Sequence, residues 1–250
     1  MAIHTRLNFF TRLLGLVFPH VCEFCGEREA TPSDSFICQH CRAHPRAIRP
    51  VRPPFCKVCG LWYEGQITLD FTCRNCFDLE LEFASARAAV QYYGLVKQVI
   101  HRFKYNRKEW FEPFLAELLI ESAAPDLKCE PVDLIVPIPL HPRKQRGRGF
   151  NQAERLATRL SVATGIPTRA DLMQRVRDTD PQAHLDLDDR VANVKNAFAY
   201  VPTEKLNKQR VLLVDDVLTT GLTASSCAKE LLKNGASEVR VWTVARGGLS

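Results

Sequence analysis

The chain has 250 residues, 46% hydrophobic and 25% charged, and its 34 lysines and arginines outnumber 28 acidic residues for a formal charge of +6 at pH 7. This globular-average balance excludes a disordered tail, a collagen-like fibre and a mucin-like stalk. No run reaches the roughly 18 apolar residues that a membrane span needs. The length allows one large domain or two modest ones. Residues 5–18 set Phe10, Leu13, Leu14 and Val17 at helical spacing. They are expected to form a short amphipathic helix within a segment 1–21 that packs on its own protein. Arg12 splits the apolar run, and no small-residue cleavage site follows before Cys22, so it is not read as a secretion signal.

Eight of the ten cysteines follow as four C-x-x-C pairs, Cys22/Cys25, Cys38/Cys41, Cys56/Cys59 and Cys73/Cys76. Twelve residues separate the first two pairs and thirteen the last two. Two thiolates three positions apart on a tight turn can face one tetrahedral ion, and a second such turn closes the shell. Gly26 and Gly60 stand where each chain turn must bend back. Residues 22–80 are therefore expected to form two tandem zinc-ribbon-like units with two structural zinc sites and no open position for catalysis. Pairing within each unit is the default; a crossed pairing satisfies the spacing equally. A disulfide framework would belong to a secreted chain. Each zinc with four thiolates carries −2, so two sites lower the net charge to about +2, and electrostatics alone does not make the chain a nucleic-acid binder.

A Pro- and Arg-rich stretch, 44–55, links the two units. From Ala84 strands and helices alternate, which implies a domain over 84–250 of α/β class, a mostly parallel sheet with flanking helices. Val96, Val99, Ile100 and Phe103 mark one helix face, and Lys97, His101, Lys104 and Lys108 another that reads as solvated. Helices are expected over 111–122, 151–165 and 223–235, and strands over 132–139, 211–216 and 238–246. Cys227 reads as a buried thiol, and Cys129 has no catalytic base near it in sequence.

Residues 211–223 (VLLVDDVLTTGLT) carry the chemistry. Four apolar residues make a buried parallel strand, and Asp215 and Asp216 stand at its C-terminal end, where open α/β sheets bind ligands. Thr219, Thr220, Gly221, Leu222 and Thr223 then lead into a helix, a phosphate cradle of backbone N–H groups and hydroxyls. Carboxylates bind hydroxyls or a metal, so a sugar phosphate with a free cis-diol fits both features. Neither a Walker motif nor a G-x-G-x-x-G fingerprint occurs.

This stretch resembles the phosphoribosyl-diphosphate (PRPP) motif of type I phosphoribosyltransferases. With the tandem zinc units and PIPLHPRKQRGRGFNQ (137–152), the chain resembles the ComF family of double-zinc-ribbon phosphoribosyltransferase-like proteins from Cys22 to Gly247. A third stretch, Arg175, Thr179, Gln182, Arg190, Asn193 and Ala197-Phe198, agrees. The resemblance implies that Asp215 and Asp216 hold the ribose hydroxyls of PRPP and, indirectly, its magnesium, while Thr219 to Thr223 hold the 5-phosphate. It implies a pyrophosphate loop over Pro137 to Arg148, served by Arg143, Lys144, Arg146 and Arg148, with Arg175 and Arg177 before a loop, about 178–195, that closes over substrate. It implies a phosphoribosyl transfer enzyme or a DNA-uptake (competence) accessory protein, with single-stranded DNA or a helicase-like partner and PRPP or a nucleotide as regulator; the lack of a targeting signal and the thiolate zinc sites point to the cytoplasm. Phe55, Trp62, Tyr63 and Phe71 offer stacking surfaces for the latter. No signature identifies an acceptor base.

Overall fold

A computed structural model describes residues 20–65, 71–178 and 196–248. The helix expected over 5–18, and all but Asp178 of the loop expected over 178–195, lie outside these residues, as do Thr179, Gln182, Arg190 and Asn193.

The two cysteine units share one plan. In each, the first pair sits on a tight turn closed by a glycine, with Gly26 N–H donating to Cys22 O and Gly60 N–H to Cys56 O, both at 2.9 Å. The second pair opens a one-turn helix, α1 (Gln39–Ala43) after Cys38 and α2 (Arg74–Asp78) after Cys73. Gly60 is required twice over. Its φ is +65°, and a Cβ there would stand 2.6 Å from Ala86 O.

Among the described residues the sheet has four parallel strands in the order β1 (Ser85–Gln91), β6 (Glu238–Arg246), β5 (Arg210–Leu218), β2 (Leu134–Pro137). Side chains alternate along β5: Leu212 and Val214 enter one core, Val211 and Leu213 the other. The first core is roofed by α3 (Gly94–Tyr105), α4 (Glu112–Cys129) and α6 (Gln152–Thr164), through Phe103, Leu115, Leu119, Leu156 and Leu160. The second is covered by α7 (Leu222–Lys233) and by an antiparallel pair, β3 (Met173–Arg175) with β4 (Phe198–Tyr200).

Three expectations change. The helix drawn over 111–122 runs to Cys129, because buried Ala123 and Leu127 carry it past Pro125. Strand β5 continues through the aspartate pair to Leu218, held by pairing with β6. The stretch 137–148 is only partly a loop: Pro142–Arg148 form a helix, α5, entered by Pro142 at its first turn and ended by Gly149 at φ 94°.

The cysteine units are not appended to this domain. Ile37 is fully buried in the first core, and Phe24 packs on Phe111 with ring centroids 5.8 Å apart. Val58 and Leu81 pack on the second core. The 44–55 linker lies along β1, with Pro50 bridging Val90 antiparallel and Gln91 N–H donating to Arg49 O at 2.7 Å. It covers a strand edge that would otherwise be open. Among the described residues no helix is long and apolar enough to cross a membrane.

Candidate metal centres and anion cleft

Cys22, Cys25, Cys38 and Cys41 bring their sulfurs within 4.8 Å of one another, and so do Cys56, Cys59, Cys73 and Cys76. Each tetrad comes from one unit, so pairing is sequential. Four sulfurs about 2.3 Å from one zinc stand about 3.8 Å apart, and Cys25–Cys38 and Cys59–Cys73 separate by 3.8 and 3.6 Å. Backbone amides donate to sulfur, Cys38 N–H to Cys22 and Cys73 N–H to Cys56, at 3.4 and 3.3 Å. Four sulfurs this close share protons unevenly. Hydrogen bonds from Cys59 and Cys76 push the Cys56 thiol down, and the bond to Cys56 pushes Cys76 up. A divalent cation removes that conflict, and the all-thiolate donor set selects zinc.

The second centre is a cleft of about 430 Å3 at the C-terminal end of β5. Strand alternation sends the two aspartates to different sides. Asp216 takes the side of Leu212 and Val214, is 1% exposed, and meets Lys104 of α3 with Nζ 2.7 Å from Oδ2. Asp215 takes the side of Val211 and Leu213, and its Oδ1 accepts from Asp216 N–H at 2.8 Å. It also lines a smaller pocket of about 60 Å3 with Thr219, Gly221 and Thr223. In the loop above that pocket the Thr220 hydroxyl is buried with no hydrogen-bond partner. An orphaned buried hydroxyl beside a helix N-terminus fits a ligand oxygen. Gly221, at φ +89°, caps α7, and a Cβ there would press on Phe83 at 3.2 Å and Leu81 at 3.3 Å.

The remaining walls are cationic. Lys144 and Arg148 stand four apart on α5 and share the face that lines the cleft, whereas Arg143 and Arg146 do not line it, and the Arg143 side chain is 79% exposed. Arg175 lines it at the end of β3, where burial works against its guanidinium. Lys104, Tyr105 and Arg107 complete the wall and were missed by sequence reasoning. The stripe Lys97, His101, Lys104, Lys108 is not one solvated face: Lys104 turns inward to Asp216, and Lys108 lies beyond the helix, paired with Glu23. Burial opposes the Lys104 ammonium, but Asp216 and Asp215 outweigh it and raise its pKa. Five cations thus face two carboxylates, which suits a polyanionic ligand with hydroxyls.

Burial, with the neighbouring Asp216 charge, pushes Asp215 up to about 8 from 3.8. Between those values the unfolded chain ionises this acid and the folded chain keeps it protonated, so stability falls as pH rises through that window and the cost is constant above it. Asp215→Asn is therefore expected to raise the melting temperature at pH 8 and to leave it nearly unchanged at pH 4. Thermal unfolding across that range checks it; an equal rise at both pH values would contradict the assignment.

The Double zinc ribbon domain family matches residues 13–77, and the Phosphoribosyl transferase domain family matches residues 146–249. Competence protein F of Haemophilus influenzae is 33% identical over 216 residues, 84% of this chain and 90% of that protein. DNA utilization protein YhgH of Salmonella typhi is 32% identical over 235 residues, 92% and 99% of the two chains. Competence protein ComFC of Bacillus subtilis is 26% identical over 223 residues, 85% of each. Among solved structures, a purine phosphoribosyltransferase from Pyrococcus horikoshii Ot3 matches 53% of this chain and 83% of its own, at 20% identity and a TM-score of 0.36. With paired cysteine tetrads packed on a parallel α/β domain and relatives matched over most of their length, the chain belongs to the ComF family of double-zinc-ribbon, phosphoribosyltransferase-type proteins.

Proposed function

We propose that the cleft binds PRPP with magnesium and that the protein transfers the phosphoribosyl group to an acceptor nitrogen. The observation that carries this reading is the aspartate pair standing between a small hydroxyl-lined pocket and a cationic cleft. PRPP has the matching three parts: a 5-phosphate for the 219–223 loop, a cis-diol for Asp215 and Asp216, and a pyrophosphate for Lys144, Arg148 and Arg175. The acceptor nitrogen attacks C1, the C1–oxygen bond breaks, and pyrophosphate leaves with that electron pair. The cations offset the charge that builds on the leaving oxygen. Magnesium, when bound, supplies further neutralisation of the pyrophosphate. No side chain in the cleft is assigned as a general base, so positioning and charge carry the rate. The two zinc sites are read as structural, and thiolate ligands of this kind are kept reduced most readily in a reducing compartment such as the cytoplasm.

Thermal unfolding of the zinc-loaded protein with and without magnesium-PRPP tests the reading. At about 100 times its dissociation constant a ligand stabilises by about 2.7 kcal/mol, several degrees here. The shift is expected in the wild type and absent in Asp215→Asn/Asp216→Asn; no shift in either removes the PRPP site. Transfer itself is read by pyrophosphate release over an acceptor panel.

A second reading, single-stranded DNA handling, is favoured by one surface. Tyr93, Lys97, His101 and Tyr105 recur every four residues along α3, all exposed, over about 18 Å. Arg49 lies 4.0 Å over the Tyr93 ring and Arg148 5.4 Å over Tyr105, whose ring meets His101 at 4.9 Å, tilted by 49°. The stripe ends at the cleft mouth, so phosphates and bases would run toward it. The zinc-module rings are engaged elsewhere, Tyr63 on Phe71 and Phe55 under Arg87. Tyr93→Ala and Tyr105→Ala are each expected to weaken single-strand binding about tenfold, with the wild type losing affinity steeply in salt. Fluorescence anisotropy checks this; salt-independent binding or none at low salt rejects the reading, as does affinity unchanged in both variants.

A further inference from the structure

Arg246 ends β6 and is fully buried. No carboxylate pairs with it among the described residues. Its Nε donates to Cys59 O at 2.9 Å, and its Nη2 donates to the Cys59 sulfur at 3.2 Å. Its Nη1 reaches the carbonyls of Leu218, Thr219 and Gly247 at 3.1, 2.5 and 2.5 Å. A buried guanidinium needs a counter-charge. A Cys59 thiolate within a zinc tetrathiolate supplies it, and such outer partners of a metal site orient its ligands.

A second residue of the same unit does similar work. Asn75 Nδ2 donates to Thr220 O at 3.2 Å, one position before the zinc ligand Cys76. The carbonyls of 218 and 219 are thus held by Arg246, which is itself bonded to Cys59, and that of 220 by the second cysteine unit. In a trans peptide the carbonyl and the following N–H point in opposite directions. The N–H groups of Thr219, Thr220 and Gly221 therefore turn away from these donors, in the loop whose Thr219, Gly221 and Thr223 line the small pocket.

We infer that Arg246 and Asn75 are positioning residues that make the second zinc site part of the phosphate site. They hold the loop with its amides presented to a phosphate monoester, and zinc at Cys56, Cys59, Cys73 and Cys76 and the sugar phosphate strengthen each other's binding. Among the described residues the first zinc site has no such link; its unit is tied to α3 through Arg102 donating to Glu23 O at 2.8 Å. The inference rests on the reading that residues 219–223 hold the 5-phosphate.

Coupling of binding free energies is reciprocal, so it can be read from the metal side. The experiment uses the full, zinc-loaded chain and a chromogenic chelator, and follows zinc release with and without magnesium-PRPP or ribose 5-phosphate. Calorimetry confirms binding, and Cys22→Ser and Cys73→Ser assign the release phases. Ligand is expected to slow release from the second site about tenfold and leave the first unchanged. Asn75→Ala, at a half-buried position, is expected to keep both zincs and lose most of that protection. Arg246→Lys keeps the charge but not the forked geometry and is expected to lose it entirely, with ligand affinity down at least about tenfold. Absence of calorimetric binding overturns the phosphate reading and the inference with it. Binding with no protection, or with equal protection of both sites, overturns the inference alone.

Discussion

Stripping both zinc ions with a strong chelator at pH 7 is expected to lower the melting temperature by more than about 20 °C. Structural tetrathiolate sites are worth about 10–16 kcal/mol of apparent binding energy, and that energy is folding energy when the segment cannot fold alone. Here the segment also seals the domain. Loss of the first unit withdraws Ile37 and Phe24 from the core around Phe111 and Phe114. Loss of the second withdraws Val58 and Leu81 and leaves Arg246 buried without Cys59. Native mass spectrometry should count two zincs per chain before chelation, and calorimetry should show one cooperative transition rather than two. An unchanged melting temperature after both ions leave would mean that apolar packing alone holds the cysteine units.

The second large effect concerns Lys104. Replacing it with Met leaves Asp216, whose side chain is 2% exposed, as an unpaired buried carboxylate. Breaking such a pair costs about 3–5 kcal/mol, which for a chain of this length lowers the melting temperature by about 10 °C. Lys104→Met/Asp216→Asn is expected to recover most of that loss, since removing both charges leaves none stranded. The double-mutant cycle measures the coupling. If the double variant is no more stable than the single, the ion pair is not the reason Lys104 faces inward. The same cycle predicts a functional split: the double variant regains stability and still fails to bind magnesium-PRPP.

Lys104 also shows where the sequence stopped being readable. The zinc tetrads and the 211–223 motif are local patterns, legible from spacing alone; the structure brings the tetrad sulfurs together and sets Asp215, Thr219, Gly221 and Thr223 along one small pocket. Lys104 reads as surface because its helical position alternates with exposed Lys97 and His101, and only the packing of α3 over β5 turns it inward. Arg246 is harder still, because 187 residues separate it from the cysteine that explains it. The arginine-rich stretch is a different case. Its helix signals were present in Pro142 and Gly149, but the density of Gly and Arg hid them. Without the helix there was no reason to separate Lys144 and Arg148, which line the cleft, from Arg143 and Arg146, which do not.

The order of strands has a consequence for how the chain is made. β6 lies between β1 and β5, yet the ribosome synthesises it after both. Until β6 emerges, β1 and β5 each present an unpaired apolar edge, and the two halves of the sheet have no hydrogen bonds between them. Pairing must therefore wait for distant segments, which slows folding and exposes sticky edges on the nascent chain. The 44–55 linker between the two cysteine units, made before the sheet, covers one edge of β1 from the start through Pro50 and Arg49. Early zinc capture thus fixes that cover while the other edge of β1 still waits for its partner.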